Sequence, residues 1–236
     1  MSENNINLIY NKLLEKYSYQ GWWPLLSYQG INPTKTGAIE GYHPKDYSFP
    51  KNSNEQFEII MGSILTQNTS WPSVEKALKN LSILTEFSPK SILKLANSNE
   101  NEFKQAIKVA GYFNQKFNYL KNIAEFYISL EGRVPSRKEI LKVKGVGNET
   151  ADSILLFAYK QKEFKVDAYT KRIFSYLGYF DEKEKYMYIK KLFEDNFKGT
   201  VNEYQEYHAL IVEHAKHYYL KKPYGVEDKL LDEFKI

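Results

Sequence analysis

Between Phe57 and Leu220, apolar side chains return every three or four positions and hardly ever every second one. One face of a helix satisfies that rhythm and a half-buried strand does not, so the chain is confined to helices packed on helices. The segments FEIIMGSIL (57–65), SVEKALKNLSIL (73–84), YLKNIAEFYISL (119–130), YMYIKKLFEDNF (186–197) and EYHALIVEHAKHYYL (206–220) carry the pattern most clearly. An amino-terminal helix is predicted as well, because Ile6, Ile9, Leu13 and Tyr17 share one face before Gly21 interrupts it. The expectation is an all-α fold of about ten helices on short connections, without internal repeats or low-complexity segments. The exception is the stretch 27–54, SYQGINPTKTGAIEGYHPKDYSFPKNSN, which reads as a long irregular insertion of the kind that often serves function.

Composition removes several classes of chemistry. None of the 236 residues is cysteine, which excludes disulfides, thiolate zinc sites, cysteine nucleophiles and cysteine-ligated iron–sulfur clusters. No run of about 18 apolar residues is present to span a membrane. The start, MSENNINLIYNKLLEKY, lacks the basic and apolar blocks of a secretory signal, so a soluble cytoplasmic protein is expected. A net charge of +4 agrees with a nucleic-acid partner without requiring one. Only three of the 33 basic residues are arginine, so phosphate contacts are expected to be mostly lysine point charges.

The most informative segment is LKVKGVGNETADSILLFAYKQKEFKVDAYTKR (141–172). It reads as a helix, a hairpin through Gly145, Val146 and Gly147, and a second helix with Ala151, Ile154, Leu155 and Ala158 on one face. Two glycines permit backbone conformations closed to other residues and let main-chain amides approach an outside group. Amides at a helix amino terminus favour an anion, and Lys142 and Lys144 stand just upstream, so a DNA phosphate suits the turn. A turn that merely connects two helices would use the same glycines. Asp167, eighteen residues beyond Glu149, stands where a loop ends and another helix begins. Aspartate there serves as an amino-terminal cap, as a functional carboxylate, or as both.

These residues resemble, in type and spacing, the helix-hairpin-helix and catalytic-aspartate signature of the endonuclease III-like DNA glycosylase superfamily, in which GVGxxTA is followed by VDxxxxR. Gly145 to Ala151 and Val166 to Arg172 match it. GSILTQNT (62–69) resembles the family's early helix-turn and AGYFNQK (110–116) its GxxNxKA element, so the resemblance runs from about residue 57 to 177. It implies a two-lobed, all-α glycosylase fold: a helical barrel domain at 55–165 holding the hairpin, and a second domain formed from 1–54 plus 166–236. It implies double-stranded DNA containing a damaged base as partner, a nucleotide flipped into the cleft, and a protein expected to act as a monomer.

On this resemblance Asp167 would be the catalytic carboxylate. It would stabilise the positive charge that develops on the sugar as the N-glycosidic bond breaks, and orient or deprotonate the attacking water, with no metal or cofactor. Lys144, Gly145, Val146 and Gly147 would hold the DNA backbone. Gln67 would enter the gap left by the flipped nucleotide, although Gln67 and Asn68 could equally cap or bridge a turn. Lys116 and Arg172 would contact phosphate or stabilise the fold. In the family's bifunctional members a lysine occupies the position of Glu149, and its amine attacks the sugar. Glutamate cannot form that Schiff base, so a monofunctional enzyme is expected, with weak lyase activity from another lysine left open. The missing cysteines imply a branch without the iron–sulfur cluster.

GWWPLLSYQG (21–30) sets Trp22 and Trp23 before Pro24, and Trp71 follows LTQNTS. The combination resembles the type III 3-methyladenine DNA glycosylases, which lack the cluster and carry glutamate at the Glu149 position. It implies that Trp22, Trp23, Pro24, Trp71 and Glu149 wall a base pocket, joined by Lys216; ordinary core packing is the alternative for such aromatics. An N3-alkylated adenine or N7-alkylated guanine is cationic, stacks well on electron-rich rings and departs easily, so the tryptophans favour an alkylated purine. A glycosylase for mismatched or oxidised bases and a non-catalytic helix-hairpin-helix DNA-binding protein are the rival readings. His208, His214 and His217 invite a metal reading, but without HExxH spacing or cysteine no metal is expected. The insertion has no counterpart in the 3-methyladenine members, and its part in the function is left open.

Overall fold

The computed structural model describes residues 3–37 and 40–236; Met1 and Ser2, and Ala38 and Ile39 of the expected insertion, lie outside the described residues. Among the described residues eleven α-helices follow one another: α1 (Glu3–Tyr17), α2 (Ser53–Leu65), α3 (Trp71–Leu84), α4 (Pro89–Ser98), α5 (Glu100–Ile107), α6 (Phe113–Ser129), α7 (Arg137–Ile140), α8 (Asn148–Ser153), α9 (Ala168–Tyr176), α10 (Tyr186–Asn196) and α11 (Val201–Tyr218). The one extended pairing among them is a single bridge between Ile31 and Glu40, so the fold is all α. No described helix is long and apolar enough to cross a membrane.

The helices begin where the chain offers a cap. Asn52, Ser88, Asn99, Ser136, Asp167 and Thr200 each accept a backbone N–H from the turn that follows, and Pro72 and Pro89 occupy first-turn positions where no amide is needed. Tertiary burial then stabilises them. On α1, Ile6, Ile9, Leu13 and Tyr17 are buried as their spacing predicts, each contributing roughly 1.5–3 kcal/mol.

Two groups of helices result. α1 packs on α10 and α11, and α9 on α11; α3 packs on α5, α4 on α6, and α2 on α3, α6 and α8. α11 is buried on every side from Tyr204 to Ala215, which makes it a central post rather than an amphipathic surface helix.

The second helix of the hairpin departs from the regular form its spacing predicts. α8 is only six residues long, and the chain then widens into a π turn, Ile154–Ala158. The extra residue in the turn lets all five of these side chains be buried, against α2 on one side and α11 on the other, where a regular helix would turn part of the run outward. The segment KEILKV is likewise helical only over α7.

The insertion folds back on the tryptophan segment. Leu25 N donates to Gly41 O (3.0 Å), Tyr42 N to Gly30 O (3.2 Å) and His43 N to Gly21 O (3.1 Å). These bonds tie residues 21–30 to residues 41–43 and seat both against the helical body.

Candidate active site

The hairpin depends on one glycine more than the other. Gly145 has φ +101°, where L side chains are strained, and a Cβ there would lie 2.2 Å from Cγ of Tyr119. Gly147 is extended, with φ −96° and open space around it. The conformational argument therefore applies to Gly145 alone, while Gly147 leaves the approach to α8 unobstructed. Among the described residues no side chain caps α8, so its first amides lack the partner that a Ser or Asp cap would supply.

Around the turn the side chains form a brace. Gln67 Nε2 donates to Gly145 O (2.8 Å) and to Thr150 Oγ1 (3.1 Å), so in this structure Gln67 bridges the hairpin. Arg137 donates to both oxygens of the buried Asp152 (2.6 and 3.0 Å) and to Asn148 Oδ1 (2.8 Å). Tyr186 OH donates to Asp152 (2.6 Å) and accepts from Val166 N (3.3 Å), linking the hairpin to the backbone just before Asp167. A buried carboxylate requires partners of this quality. Gln67, Gly145, Val146, Gly147, Glu149 and Lys165 line a groove of about 500 Å³, with the exposed Lys142 and Lys144 immediately before it in the chain.

Asp167 caps α9 with one oxygen only. Its Oδ1 accepts from Thr170 N (2.7 Å) and Thr170 Oγ1 (2.9 Å), which leaves Oδ2 uncommitted among the described residues. The carboxylate opens onto a second cavity of about 610 Å³, which Trp22, Trp23, Trp71, Glu149 and Lys216 also line. Residues separated by almost the whole chain are thus gathered around one space.

All three tryptophans line the cavity, Trp23 from a buried position. Trp23 is buried and meets Trp71 edge to face (5.2 Å, 88°); its ring lies on Gly62, where even a Cβ would be 3.1 Å away. Trp22 stands edge to face on His208 (5.5 Å). Glu206 of α11 holds the approach to this pair, accepting from Gln20 N (2.8 Å) and Gly21 N (3.0 Å). The expected place of Pro24 in the wall is corrected: it is buried and absent from the cavity lining, because the chain turns inward toward Leu25, which Gly41 O anchors.

Thr36, Gly37 and Tyr42 of the insertion reach the cavity lining. Lys216 Nζ is held between Glu213 Oε2 and Thr36 Oγ1, both at 3.1 Å. Burial pushes the Glu213 carboxyl up, but bonds from Thr36, Lys216 and His217 outweigh it and leave the group below the ordinary carboxylate range.

At the mouth shared with the groove, Lys165 Nζ lies 3.3 Å from His208 Nε2 and 3.7 Å from Glu149 Oε1. Burial, reinforced by the Lys165 charge and only partly opposed by a bond to the Lys165 backbone, holds the His208 pKa far below its usual value, so the ring beside the lysine is neutral. Surrounding protein pushes the Glu149 carboxyl up, Lys165 pulls it back and Asp167 adds to the rise. The Glu149 side chain remains 54% exposed to the cleft, so water screens much of this effect.

Three residues considered for phosphate or metal serve the fold instead. Lys116 is buried, and its Nζ donates to Leu65 O (2.7 Å) and Ala110 O (2.8 Å); burial lowers its pKa to about 8 and keeps it from any phosphate. Arg172 donates to Tyr219 O (3.0 Å) and covers the Tyr224 ring. His214 sits between Tyr17 OH (2.9 Å) and Asp228 Oδ2 (2.7 Å), and no three-ligand metal cluster occurs among the described residues. Sequence reasoning weighed His208 only for metal, and missed Lys165, Thr36, Tyr42 and the Arg137–Asp152 brace. Lys165 stands two residues before Asp167 and was open to notice; nothing local marked Thr36 or Tyr42.

An all-α fold, a glycine hairpin and a carboxylate at the wall of a tryptophan-lined cavity together define a helix-hairpin-helix DNA glycosylase. The family model for HhH-GPD superfamily base excision DNA repair proteins matches residues 61–198, and the chain belongs to that superfamily. A Methanocaldococcus jannaschii protein named "Putative DNA repair glycosylase" is 38% identical over 94% of this chain and 93% of its own length. The H. pylori 3-methyladenine DNA glycosylase bound to 1,N6-ethenoadenine is 25% identical, with a TM-score of 0.60, over 73% of this chain and 92% of that one. A non-covalent endonuclease III–DNA complex has the same fold at 16% identity, with a TM-score of 0.73, over 98% of this chain and 94% of that one.

Proposed function

We propose that this DNA repair glycosylase is monofunctional and hydrolyses the N-glycosidic bond of a flipped alkylated purine, 3-methyladenine or 7-methylguanine, in duplex DNA. The observation that carries the reading is the uncommitted Oδ2 of Asp167 opening onto a cavity that Trp22 and Trp71 also line, with Glu149 where an amine nucleophile would have to stand. A cationic alkylpurine stacks on electron-rich rings and needs little acid catalysis to leave. The charge that develops on the sugar as the base departs is then stabilised by Asp167, which also orients the attacking water. Without an amine at position 149, base release is not coupled to strand cleavage.

Gly145, Val146, Gly147 and Lys144 hold the DNA backbone beside the groove, and Lys216 borders the base. The two groups of helices serve as the domains 55–165 and 1–54 plus 166–236, and the protein acts as a monomer. The similarity to a 3-methyladenine glycosylase holding an ethenoadenine supports a purine pocket. The test is base release from duplex DNA treated with a methylating agent, with each freed base identified. Methylated purines among the products support the reading. Release only of uracil, mismatched thymine or oxidised bases overturns the alkylpurine assignment.

A further inference from the structure

We infer that Glu213 and Thr36 are specificity-determining residues: they cancel the charge of Lys216 at the cavity wall and so let a positively charged base enter. The inference rests on the alkylpurine reading for the identity of that base. An alkylated purine carries a positive charge, and an unmatched lysine in the wall of its pocket repels it. The lysines that line the cavity are Lys165 and Lys216. Lys165 faces Glu149 at 3.7 Å, which leaves Lys216 as the cation beside the base.

Glu213 stands about one turn before Lys216 on α11, behind the cavity wall, with its side chain 2% exposed. Its Oε2 accepts from Lys216 Nζ at 3.1 Å and from Thr36 Oγ1 at 2.5 Å, and its Oε1 lies 3.1 Å from His217 Nε2. The Thr36 hydroxyl also accepts from Lys216 at 3.1 Å, so one hydroxyl of the insertion touches both members of the ion pair. Thr36 is fixed in turn, because the buried Asn32 donates to its carbonyl at 2.8 Å. Held on two acceptors, the ammonium stays against α11 instead of swinging into the cavity. The carboxylate is buried, where water screens it little, so its field offsets that of the lysine at the place the base would occupy. The insertion thereby acquires a part in choosing the substrate: it carries the hydroxyl that locks the pair.

The test compares binding to two duplexes whose target bases have the same shape and different charge. One carries 7-methylguanine, which is cationic, and the other 7-methyl-7-deazaguanine, which is neutral; both sit on 2′-fluorinated sugars that resist cleavage. Wild type is expected to prefer the cationic duplex. Glu213→Gln keeps an acceptor and removes the charge, and is expected to lower that preference roughly tenfold or more while leaving affinity for the neutral duplex unchanged. Adding Lys216→Gln makes the wall uncharged again and is expected to recover most of the preference, which a merely structural role for Glu213 would not do. If Glu213→Gln fails to fold, Thr36→Val removes the lock and keeps both charges; it is expected to lower the preference in the same direction, with Thr36→Ser close to wild type. An unchanged preference in Glu213→Gln, or in Thr36→Val where the former does not fold, overturns the inference. So do equal losses on the two duplexes, or a double variant that recovers nothing. Release of methylated purines by a wild type without any preference for the cationic duplex would sink this inference and leave the alkylpurine reading standing. A preference that depends on Glu213, without release of any methylated purine, would do the reverse.

Discussion

Replacing Asp167 with asparagine is expected to remove catalysis and spare the fold, whereas alanine is expected to harm both. The capping bonds use Oδ1 alone, accepting from Thr170 N at 2.7 Å and Thr170 Oγ1 at 2.9 Å, and the asparagine carbonyl oxygen can accept the same donors. Alanine offers no acceptor, and loss of such a cap costs about 1 kcal/mol, or roughly 2–4 °C in melting temperature for a chain of this size. The catalytic loss has another origin. Asparagine removes the negative charge from a position 8% exposed to water, where little solvent is available to replace it. Removing one preorganised electrostatic group of this kind costs on the order of 10²–10³ in rate, or about 3–4 kcal/mol of transition-state stabilisation. Single-turnover base release, duplex binding and thermal melting, measured on wild type and both variants, separate the two effects. Base release by Asp167→Asn within about tenfold of wild type, with equal DNA binding, would refute the electrostatic role. Equal melting of the alanine and asparagine variants would refute the capping role.

The two hairpin glycines should respond differently. Gly145→Ala is expected to lose about 1–2 kcal/mol from its backbone conformation alone, before the overlap with the Tyr119 ring is relieved; Gly147→Ala is expected to melt like wild type, and equal destabilisation would refute the distinction. Burial raises the Glu58 carboxyl from 4.5 to about 7, with the Leu26 N–H opposing the rise. The folded state therefore binds this proton more tightly than the unfolded chain, so the cost is absent below pH 4.5, grows as pH rises, and is complete above pH 7 at about 3 kcal/mol. Glu58→Gln, which keeps an acceptor for Leu26, is expected to melt above wild type at pH 8 and alongside it near pH 4.5; a gap independent of pH would count against this. Lys144→Ala should weaken duplex binding and lower the slope of log affinity against log salt by about 1, and an unchanged slope would remove Lys144 from the phosphate contacts.

Local rules made the helices, the hairpin turn and the cap at Asp167 readable from the chain. Ile6, Ile9, Leu13 and Tyr17 declare a buried face by spacing alone, and Asp167 lies three residues before Thr170, the arrangement that caps a helix start. The glycines showed that a turn exists, but not that Gly145 alone needs the left-handed conformation, since φ depends on what crowds the turn.

Long-range packing decided the rest. Spacing cannot say which buried faces meet, so the π turn at Ile154–Ala158, squeezed between α2 and α11, looked like ordinary helix. The sequence left the insertion's role open, whereas the bond from Lys216 to Thr36 ties it to the cavity, and the contact of Lys165 with His208 joins a loop to the central helix. By itself the sequence determined an all-α chain with a glycine hairpin and a capping carboxylate, because those features answer to neighbours within one or two turns. Only the tertiary structure placed that carboxylate, the tryptophans and a buried amine around one cavity, because such proximity arises from helices far apart in the chain burying their apolar faces together.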